Sequence, residues 1–136
     1  PVIVAADATV ADALALVRNE DITPAEASMV FVCRPPTETP TGRYLGAVHV
    51  QRLLREPPST MVSAIIDSDL EPMHTDAPVG AVSRYFATYN LVVVPVVNDA
   101  NQLVGAVAVD DLLDHLLPAD WRGDQMDGEF VEVNHG

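Results

Sequence analysis

The sequence predicts an α+β fold made of two β-α-β-β-α repeats that pack sheet to sheet with pseudo-twofold symmetry. Three observations predict it. Residues 6–10 (ADATV) are matched by residues 75–79 (TDAPV), and residues 44–48 (YLGAV) are matched by residues 103–107 (LVGAV). Each match is followed by segments of the same kind in the same order. A unit this small cannot cover its own sheet, so the two copies should cover each other.

In the first repeat the predicted elements come in the order strand, helix, strand, strand and helix. They are a strand over residues 2–5, a helix that begins after Thr9, strands over residues 29–33 and 44–50, and a helix over residues 51–56. Threonine is favoured at the N-cap because its side chain accepts a backbone hydrogen bond. Residues 35–42 (PPTETPTG) are typical of a loop, which we expect to be long and mobile. Pro57 ends the closing helix, because proline lacks the N–H that a helix needs.

The second repeat follows the same order with shorter connections. Its predicted elements are a strand over residues 70–74, a helix that begins near Asp76 and Pro78, strands over residues 91–97 and 103–109, and a helix over residues 110–117. Residues 98–101 (NDAN) are typical of a compact turn, so the last two strands should form a hairpin. A short linker helix is predicted over residues 59–66. We therefore expect residues 1–58 to form the first repeat, residues 59–117 the second repeat with its linker helix, and residues 118–136 a polar tail.

The charge balance narrows the classes of partner. The chain of 136 residues carries 20 acidic and 7 basic residues, for a formal net charge of −13. Nucleic acid and anionic membranes would repel such a chain, whereas cations or a basic protein face would attract it. No stretch of about 18 apolar residues is present that could span a bilayer, so we expect no membrane insertion by this part. The first residues lack the basic region of a signal peptide, and we expect a fragment of a longer, cytoplasmic protein.

Cysteine and histidine show no catalytic or metal-binding pattern. Cys33 is the single cysteine, so an internal disulfide is impossible and the usual structural zinc frameworks are absent. It lies in an apolar strand, where it is expected to be a small buried hydrophobe. The four histidines have no ligand spacing, and neither a P-loop nor a catalytic triad pattern is present. We therefore expect a protein that is not an enzyme.

The two most specific stretches lie in the second repeat. They are residues 89–98 (YNLVVVPVVN) and residues 103–113 (LVGAVAVDDLL). Together with the repeat order, they resemble a tandem pair of CBS domains, also called a Bateman module. Within that family the chain looks most like the cytosolic CBS region of MgtE-type magnesium transporters. Residues 63–67 (SAIID) and 116–122 (LLPADWR) support this narrower resemblance.

The resemblance implies a regulatory role in the cytosol. CBS pairs commonly bind adenine nucleotides such as ATP and AMP in clefts between the repeats. In MgtE-type proteins the pair forms a homodimer beside neighbouring domains of the intact protein, and bound Mg2+ holds the pore closed. We therefore expect a response to Mg2+, to an adenine nucleotide, or to both. Two alternatives remain open: an adenine-nucleotide-responsive module of a soluble enzyme, and a dimerisation module without a ligand.

The nucleotide motif of the family is glycine, two apolar residues, serine or threonine, two further residues and aspartate. Residues 105–111 (GAVAVDD) keep the aspartate, so the resemblance assigns the ribose hydroxyls to Asp111, while Ala108 stands at the hydroxyl position. A hydrogen bond to a charged group contributes about 1.5–3 kcal/mol, so its loss predicts weak ATP binding. Residues 46–52 (GAVHVQR) lack both polar positions, and there Arg52 could contact a phosphate. Pro95 and Thr75 complete the nucleotide-binding set that the resemblance suggests.

The glycines of this motif have a second interpretation. Gly46 and Gly105 occupy matching positions in predicted strands. A glycine within a strand typically marks a place where a neighbouring backbone or a ligand comes close. A purely structural role is therefore open for both glycines.

Acidic residues cluster at two places that could attract Mg2+. Asp110 and Asp114 share one face of the last predicted helix, and Asp67, Asp69 and Glu71 crowd the linker. Like charges this close repel one another unless a cation lies among them. Mg2+ keeps several water ligands and needs only one or two carboxylates, which suits loose acidic surfaces. The alternative is a solvated acidic face, and near a helix N-terminus the carboxylates also stabilise the helix dipole.

Overall fold

The computed structural model of the chain describes residues 1–19, 21–89 and 91–116. The predicted tail over residues 118–136 and the side chain of Asp114 lie outside the described residues. The elements are β1 (Val2–Ala5), α1 (Val10–Val17), α2 (Pro24–Ala27), β2 (Met29–Cys33), β3 (Tyr44–His49), α3 (Val50–Leu53), a 3-10 turn (Val62–Ile65), β4 (Met73–His74), α4 (Val79–Tyr89), β5 (Val93–Val97), β6 (Leu103–Ala108) and α5 (Val109–Leu116). None of the helices described is both long and apolar enough to cross a membrane.

Two three-stranded sheets form the frame, with strand orders β1-β2-β3 and β4-β5-β6. In each sheet the first pair of strands is parallel and the second pair is antiparallel. A register shift falls between Val32 and Cys33 in the first sheet and between Val96 and Val97 in the second. These are matching positions of the two copies, so even an irregularity of the ladder is repeated. The predicted α+β fold is confirmed.

The starts of β3 and β6 meet across the pseudo-twofold axis. Arg43 and Gln102, which are equivalent positions of the two copies, form an isolated antiparallel bridge. Beside this bridge the Tyr44 N–H donates to the Asn101 carbonyl at 2.8 Å, and the Asn101 side-chain amide donates back to the Tyr44 carbonyl at 3.2 Å. Backbone pairing therefore joins the two sheets directly at the axis.

Strand β2 separates two cores, because successive strand side chains point to opposite faces. Phe31 and Cys33 belong to a buried cluster that also contains Val93 and Leu103 of the second repeat. Val32 belongs to a second cluster on the other face, formed with residues of α1, α3 and the 3-10 turn. The shared first cluster confirms the predicted packing of sheet against sheet, and the buried free thiol of Cys33 fits its expected role as a hydrophobe.

Threonine caps two helices of the first repeat. The Thr9 hydroxyl accepts the Asp12 N–H at 3.2 Å and the Asp12 carboxylate accepts the Thr9 N–H at 3.0 Å, which confirms the predicted start of α1. The same reciprocal arrangement joins Thr23 and Glu26 at the start of α2. Helix α2 was not predicted, although the signal was present: threonine, proline at the first helical position and glutamate three residues after the cap.

The expectation of a mobile loop over residues 35–42 is wrong at its C-terminal end. Thr41 is fully buried, and its N–H donates to the Leu103 carbonyl at 3.0 Å. Its hydroxyl accepts the Leu103 N–H, also at 3.0 Å. A side chain at Gly42 would collide with the carbonyls of Arg34 and Pro35. The segment is held in place because buried backbone groups need partners, and Thr41 supplies both for Leu103.

The turn of the second hairpin is confirmed. The Asn98 side-chain oxygen accepts the N–H groups of Ala100 and Gln102, both at 3.0 Å. Asn101 has a φ of 58°, in the left-handed region that asparagine tolerates better than most residues. The turn therefore presents Asn101 to the first repeat in a defined geometry.

Several predicted elements are shorter in the structure. The strand predicted over residues 70–74 is reduced to β4, because Pro72 has no N–H for a ladder. The helix predicted over residues 51–56 is the single turn α3, and the predicted linker helix is a 3-10 turn. The strand predicted over residues 91–97 begins two residues later, at Val93. These differences affect ends of elements and leave their order unchanged.

Candidate functional site

The cleft between the second repeat and α2, here called the α5 cleft, has a volume of about 380 Å³. That lies within the range of about 300–1,000 Å³ that is usual for small-molecule sites. One wall comes from the second sheet and the start of α5, and the other from the first repeat. The lining residues are Pro1, Thr23, Pro24, Ala25, Glu26, Val93, Ala106, Ala108, Asp110 and Asp111.

The chain places Asp110 and Asp111 at the mouth of this cleft by passing directly from β6 into α5. The Val109 N–H donates to the Val92 carbonyl at 2.9 Å, which fixes the junction of strand and helix. Both carboxylates are exposed in the first turn of α5, where they stabilise the helix dipole. Ala108, the last residue of β6, lies at the floor with only a methyl group.

The opposite wall is α2, with its Thr23–Glu26 capping box. The Glu26 carboxylate accepts the Thr23 N–H and the Thr23 hydroxyl, each at 3.0 Å. The Thr23 backbone hydrogen bond is the main reason that the pKa of Glu26 lies below its usual value. The Pro1 amino group lies 3.2 Å from the same carboxylate. Glu26 therefore contributes a fixed, ionised carboxylate to the cleft.

A second cleft, here called the α3 cleft, has a volume of about 290 Å³ and lies beside the first repeat. Its lining residues are His49, Arg52, Ile65, Ile66, Asp67 and Ser68. His49 Nε2 lies 3.7 Å from Asp67 Oδ2, and Arg52 Nε lies 3.5 Å from Glu56 Oε2. Both pairs are partly exposed, so each contributes little to stability.

The two clefts are related by the pseudo-twofold axis. In the sheet ladders Val30 pairs with Val48, as Val94 pairs with Val107. Counting onward from these pairs, His49 is the counterpart of Ala108, and Arg52 is the counterpart of Asp111. Equivalent positions therefore carry a methyl group and a carboxylate in one cleft, but an imidazole and a guanidinium in the other.

The structure divides the predicted nucleotide-binding residues among four places. Asp111 and Ala108 lie together in the α5 cleft, whereas Arg52 lies in the α3 cleft. Pro95 is buried in β5 opposite Ala106, on the same face of the sheet as the lining residue Val93, but is not itself among the residues that line the α5 cleft. Thr75 is exposed after β4, where its N–H donates to the Val97 carbonyl at 3.0 Å. Sequence reasoning missed Glu26 and Thr23, which the capping-box signal could have located in a helix but not in this cleft.

The predicted metal-binding carboxylates also fall into separate groups. Asp67 and Glu71 line a third cleft of about 440 Å³ that includes Arg43 and Asn101. The Asp69 N–H donates to Asp67 Oδ1 at 3.0 Å, so part of that carboxylate is occupied. Across the described part of the chain, no three histidine, cysteine or acidic side chains come together as a metal-binding group. These residues could hold a hydrated ion in pairs, since Mg2+ keeps most of its waters.

Two tyrosine hydroxyls lie buried at the seam between the repeats. Tyr44 is 5% exposed, and neither its hydroxyl nor that of Tyr85 has a hydrogen-bond partner among the described residues. Burial raises the pKa of Tyr85 to about 12 and that of Tyr44 further still. Both phenols therefore stay neutral over the physiological range of pH.

The comparisons with known proteins agree with this architecture. Residues 62–118 match the family model of the CBS domain. Over 75 residues the chain is 37% identical to the magnesium transporter MgtE of Thermus thermophilus, a match that covers 55% of this chain and 17% of that protein. The cytosolic domain of the Mg2+ channel MgtE, solved in complex with ATP, matches with a TM-score of 0.71 and 30% identity over 83% of this chain and 44% of that one.

The soluble part of a magnesium transporter has a TM-score of 0.72 and 22% identity, over 85% of this chain and 43% of that one, which shows a shared fold. The paired sheets and these matches support a tandem pair of CBS domains, in which residues 62–118 carry the match to the family model. Within that class it is similar to the cytosolic region of MgtE. The chain spans 17% of the length of the MgtE sequence that it matches.

Proposed function

We propose that the chain is the ligand-sensing regulatory part of an MgtE-like magnesium transport protein and that an adenosine-type ligand binds in its α5 cleft. The observation that carries this proposal is the position of Asp111 in a cleft of suitable size between the two repeats. A ligand at that place touches both copies, so its binding energy depends on how the copies are arranged. It can shift the arrangement only by its different affinity for the two states.

In this proposal the Asp111 carboxylate accepts hydrogen bonds from the ribose hydroxyls. Ala106, Ala108 and Val93 provide the apolar wall against which a base can pack. Pro95 lies on the same face of the sheet, next to Val93 and opposite Ala106, and remains a candidate contact. Arg52, on the other side of the axis, would contact a phosphate only for a ligand in the α3 cleft, and Thr75 remains a candidate contact on the exposed segment after β4.

Calorimetry and thermal unfolding with adenosine, AMP and ATP test the nucleotide proposal. At least one of them should raise the melting temperature, because a ligand that binds only the folded state stabilises it by mass action. Asp111→Ala should weaken binding by about tenfold to a hundredfold, since a hydrogen bond to a charged group contributes about 1.5–3 kcal/mol. Asp99→Ala removes a carboxylate from the far end of the hairpin and should leave affinity unchanged. Equal binding by both variants would rule out the assigned role of Asp111.

We propose Mg2+ as a second regulatory ligand of the same module, held loosely by exposed carboxylates of the linker, Asp67, Asp69 and Glu71. The similarity to a magnesium transporter supports this, as does the formal net charge of −13. Asp110 and Asp114 of α5 are the second proposed group. Binding of a cation between such surfaces would reduce their mutual repulsion and favour a compact arrangement.

X-ray scattering with millimolar Mg2+ against NaCl of equal ionic strength tests this second proposal. The radius of gyration should fall with Mg2+ alone. The triple variant Asp67→Asn, Asp69→Asn and Glu71→Gln should lose the response, whereas Asp76→Asn combined with Asp99→Asn should retain it. Identical scattering in both salts, with the neighbouring domains of the intact protein present, would contradict the proposal.

We also propose a homodimer that forms through the helical side of the second repeat. Val79 of α4 is 48% exposed, Leu113 of α5 is 46% exposed, and Val92, between α4 and β5, is 44% exposed. Sedimentation should show a dimer that Leu113→Glu dissociates. Leu54→Glu, at an apolar position next to α3 in the other repeat that is 67% exposed, should leave the dimer intact. A wild-type monomer at high concentration would exclude this interface.

A further inference from the structure

We propose that the α5 cleft selects an adenosine-type ligand whose 5′ group is uncharged or positively charged, and that it disfavours the phosphates of AMP and ATP. This inference rests on the proposed function and specifies the ligand class of the same cleft. It follows from three features of the lining: the sign of its charges, the lack of a free hydrogen-bond donor among its described side chains, and the contrast with the symmetry-related cleft.

The charged side chains that line the α5 cleft are all carboxylates within the described ranges. Asp110 and Asp111 stand on one side and Glu26 on the other. Pro1 N lies 3.2 Å from Glu26, so Asp110 and Asp111, rather than Glu26, are the carboxylates that face a ligand. Asp110 and Asp111 have no ion-pair partner among the residues that the structure describes. A phosphate placed between these walls would meet uncompensated negative charge, which is repulsive even at the effective dielectric of a partly exposed site.

The side chains of the cleft also offer no free donor to a phosphate. Ala106, Ala108 and Val93 present only hydrocarbon to the cleft. Its single hydroxyl belongs to Thr23, and that hydroxyl donates to Glu26 at 3.0 Å. The available side-chain groups are therefore acceptors. Ribose hydroxyls and ammonium groups are donors and match such a lining, whereas a phosphate brings further acceptors.

The α3 cleft shows that the fold itself does not impose this selection. At the positions of Ala108 and Asp111 it carries His49 and Arg52. Both have N–H donors, although the carboxylates of Asp67 and Glu56 lie 3.7 Å and 3.5 Å from them. Both clefts lie at the last strand and the following helix of their repeat, but their second walls differ, because α2 faces the α5 cleft and the linker faces the α3 cleft. Among the described residues, basic side chains line the α3 cleft and not the α5 cleft, so a phosphate-bearing ligand is disfavoured in the α5 cleft.

Calorimetry with three matched ligands tests the proposal: adenosine, AMP and 5′-amino-5′-deoxyadenosine, whose 5′ group is cationic. The titrations use EDTA and low salt, on the whole chain with Arg52→Gln, so that phosphate binding in the α3 cleft does not contribute. Adenosine should bind at least about tenfold more tightly than AMP, and the amine at least as tightly as adenosine. Adding about 0.5 M NaCl should narrow the difference by screening.

A charge-matched pair of variants locates the effect. Asp110→Asn should reduce the ratio of the AMP Kd to the adenosine Kd about threefold or more. Asp99→Asn, which makes the same charge change at the far hairpin turn, should leave this ratio unchanged. AMP binding as tightly as adenosine, or a penalty that Asp110→Asn leaves unchanged, would overturn the charge selection while leaving the proposed function in place. If none of the three ligands binds, with Arg52 restored as well as replaced, the proposed function and this inference fail together.

Discussion

The third strand of the first repeat, β3, is mostly buried, whereas the corresponding strand of the second repeat, β6, is mostly half-buried. In β3 four of six residues are buried, but in β6 Leu103 alone is buried. The contrast is sharpest at the two equivalent glycines. A Cβ at Gly46 would collide with the Ile66 side chain, while a Cβ at Gly105 would have none of the described residues within 4 Å. The linker therefore fills a space against the first sheet that no described residue fills against the second.

This difference shows that topology alone does not make a binding site. The same strand order and the same helix after the last strand occur twice, yet what packs against each sheet differs. Ile65 and Ile66 cover one copy, and α2, inserted into the first repeat, stands across from the other. Substitutions in the two repeats test this difference.

Alanine substitution of the two glycines should give the largest difference in stability between the repeats. Gly46→Ala forces a methyl group into Ile66 at a φ of 155°, so we expect the free energy of unfolding to fall by about 2–3 kcal/mol. Gly105→Ala meets no neighbour and should raise it by up to about 1 kcal/mol, because glycine within a strand is entropically unfavourable. Urea denaturation of both variants measures this. Equal effects would mean that the two strands are packed alike.

Thr41→Val tests the anchor that the first repeat alone possesses. The valine removes the hydroxyl that accepts the Leu103 N–H, so a buried donor loses its partner. We expect a loss of about 1–3 kcal/mol in the free energy of unfolding. Thr39→Val, at an exposed position of the same loop, is the control and should change stability little. An unchanged free energy of unfolding in Thr41→Val would mean that the hydrogen bond from this loop to the second repeat does not stabilise the fold.

Loss of either threonine cap should lower stability by the same amount, but the two losses should differ in their effect on ligand binding. Thr9→Ala and Thr23→Ala each remove a capping hydroxyl, which should lower the free energy of unfolding by about 1 kcal/mol. Only Thr23→Ala disturbs the wall of the α5 cleft, so that variant alone should weaken adenosine binding in calorimetry. Equal weakening by both caps would indicate a general loss of stability rather than a cleft wall.

The weakest effect that we expect is a pH dependence at Glu26. Its pKa is lowered in the folded state, so the ionised carboxylate stabilises the fold above its ordinary pKa of 4.5, and this contribution disappears as the pH falls through the lowered folded value. The stability difference between the wild type and Glu26→Gln should therefore shrink between about pH 6 and pH 3. Urea denaturation at several pH values measures the difference. A stability difference that increases on acidification would contradict the lowered pKa of Glu26 in the folded state.

The strands and their order were predictable from the sequence for a physical reason. Val-rich runs such as residues 29–33 and 93–97 favour buried strands, because β-branched side chains pack well in sheets. The repeat of one unit then indicates that the strands pair in the same way in both copies. The cap at Thr9 and the turn at residues 98–101 depend on local chemistry, which is readable from a few residues. These features needed no knowledge of distant contacts.

The site was harder to predict, because its walls come from distant parts of the chain. Asp111 could be singled out from a motif, and Arg52 was grouped with it, but the pseudo-twofold axis places them in different clefts. The capping box at Thr23 predicts a helical turn, yet nothing local tells which surface that turn faces. Likewise Thr41 looks like part of a polar loop, and its burial depends on Leu103 in the other repeat.

The backbone bonds at the axis also bear on how such proteins can be inherited and recombined. Tyr44 and Leu103 find hydrogen-bond partners in Asn101 and Thr41 of the opposite half. A genetic exchange that replaced one half with that of a distant relative would have to bring a loop and a turn of matching shape. The piece that can be exchanged without losing these bonds is therefore the pair of repeats, not one repeat alone.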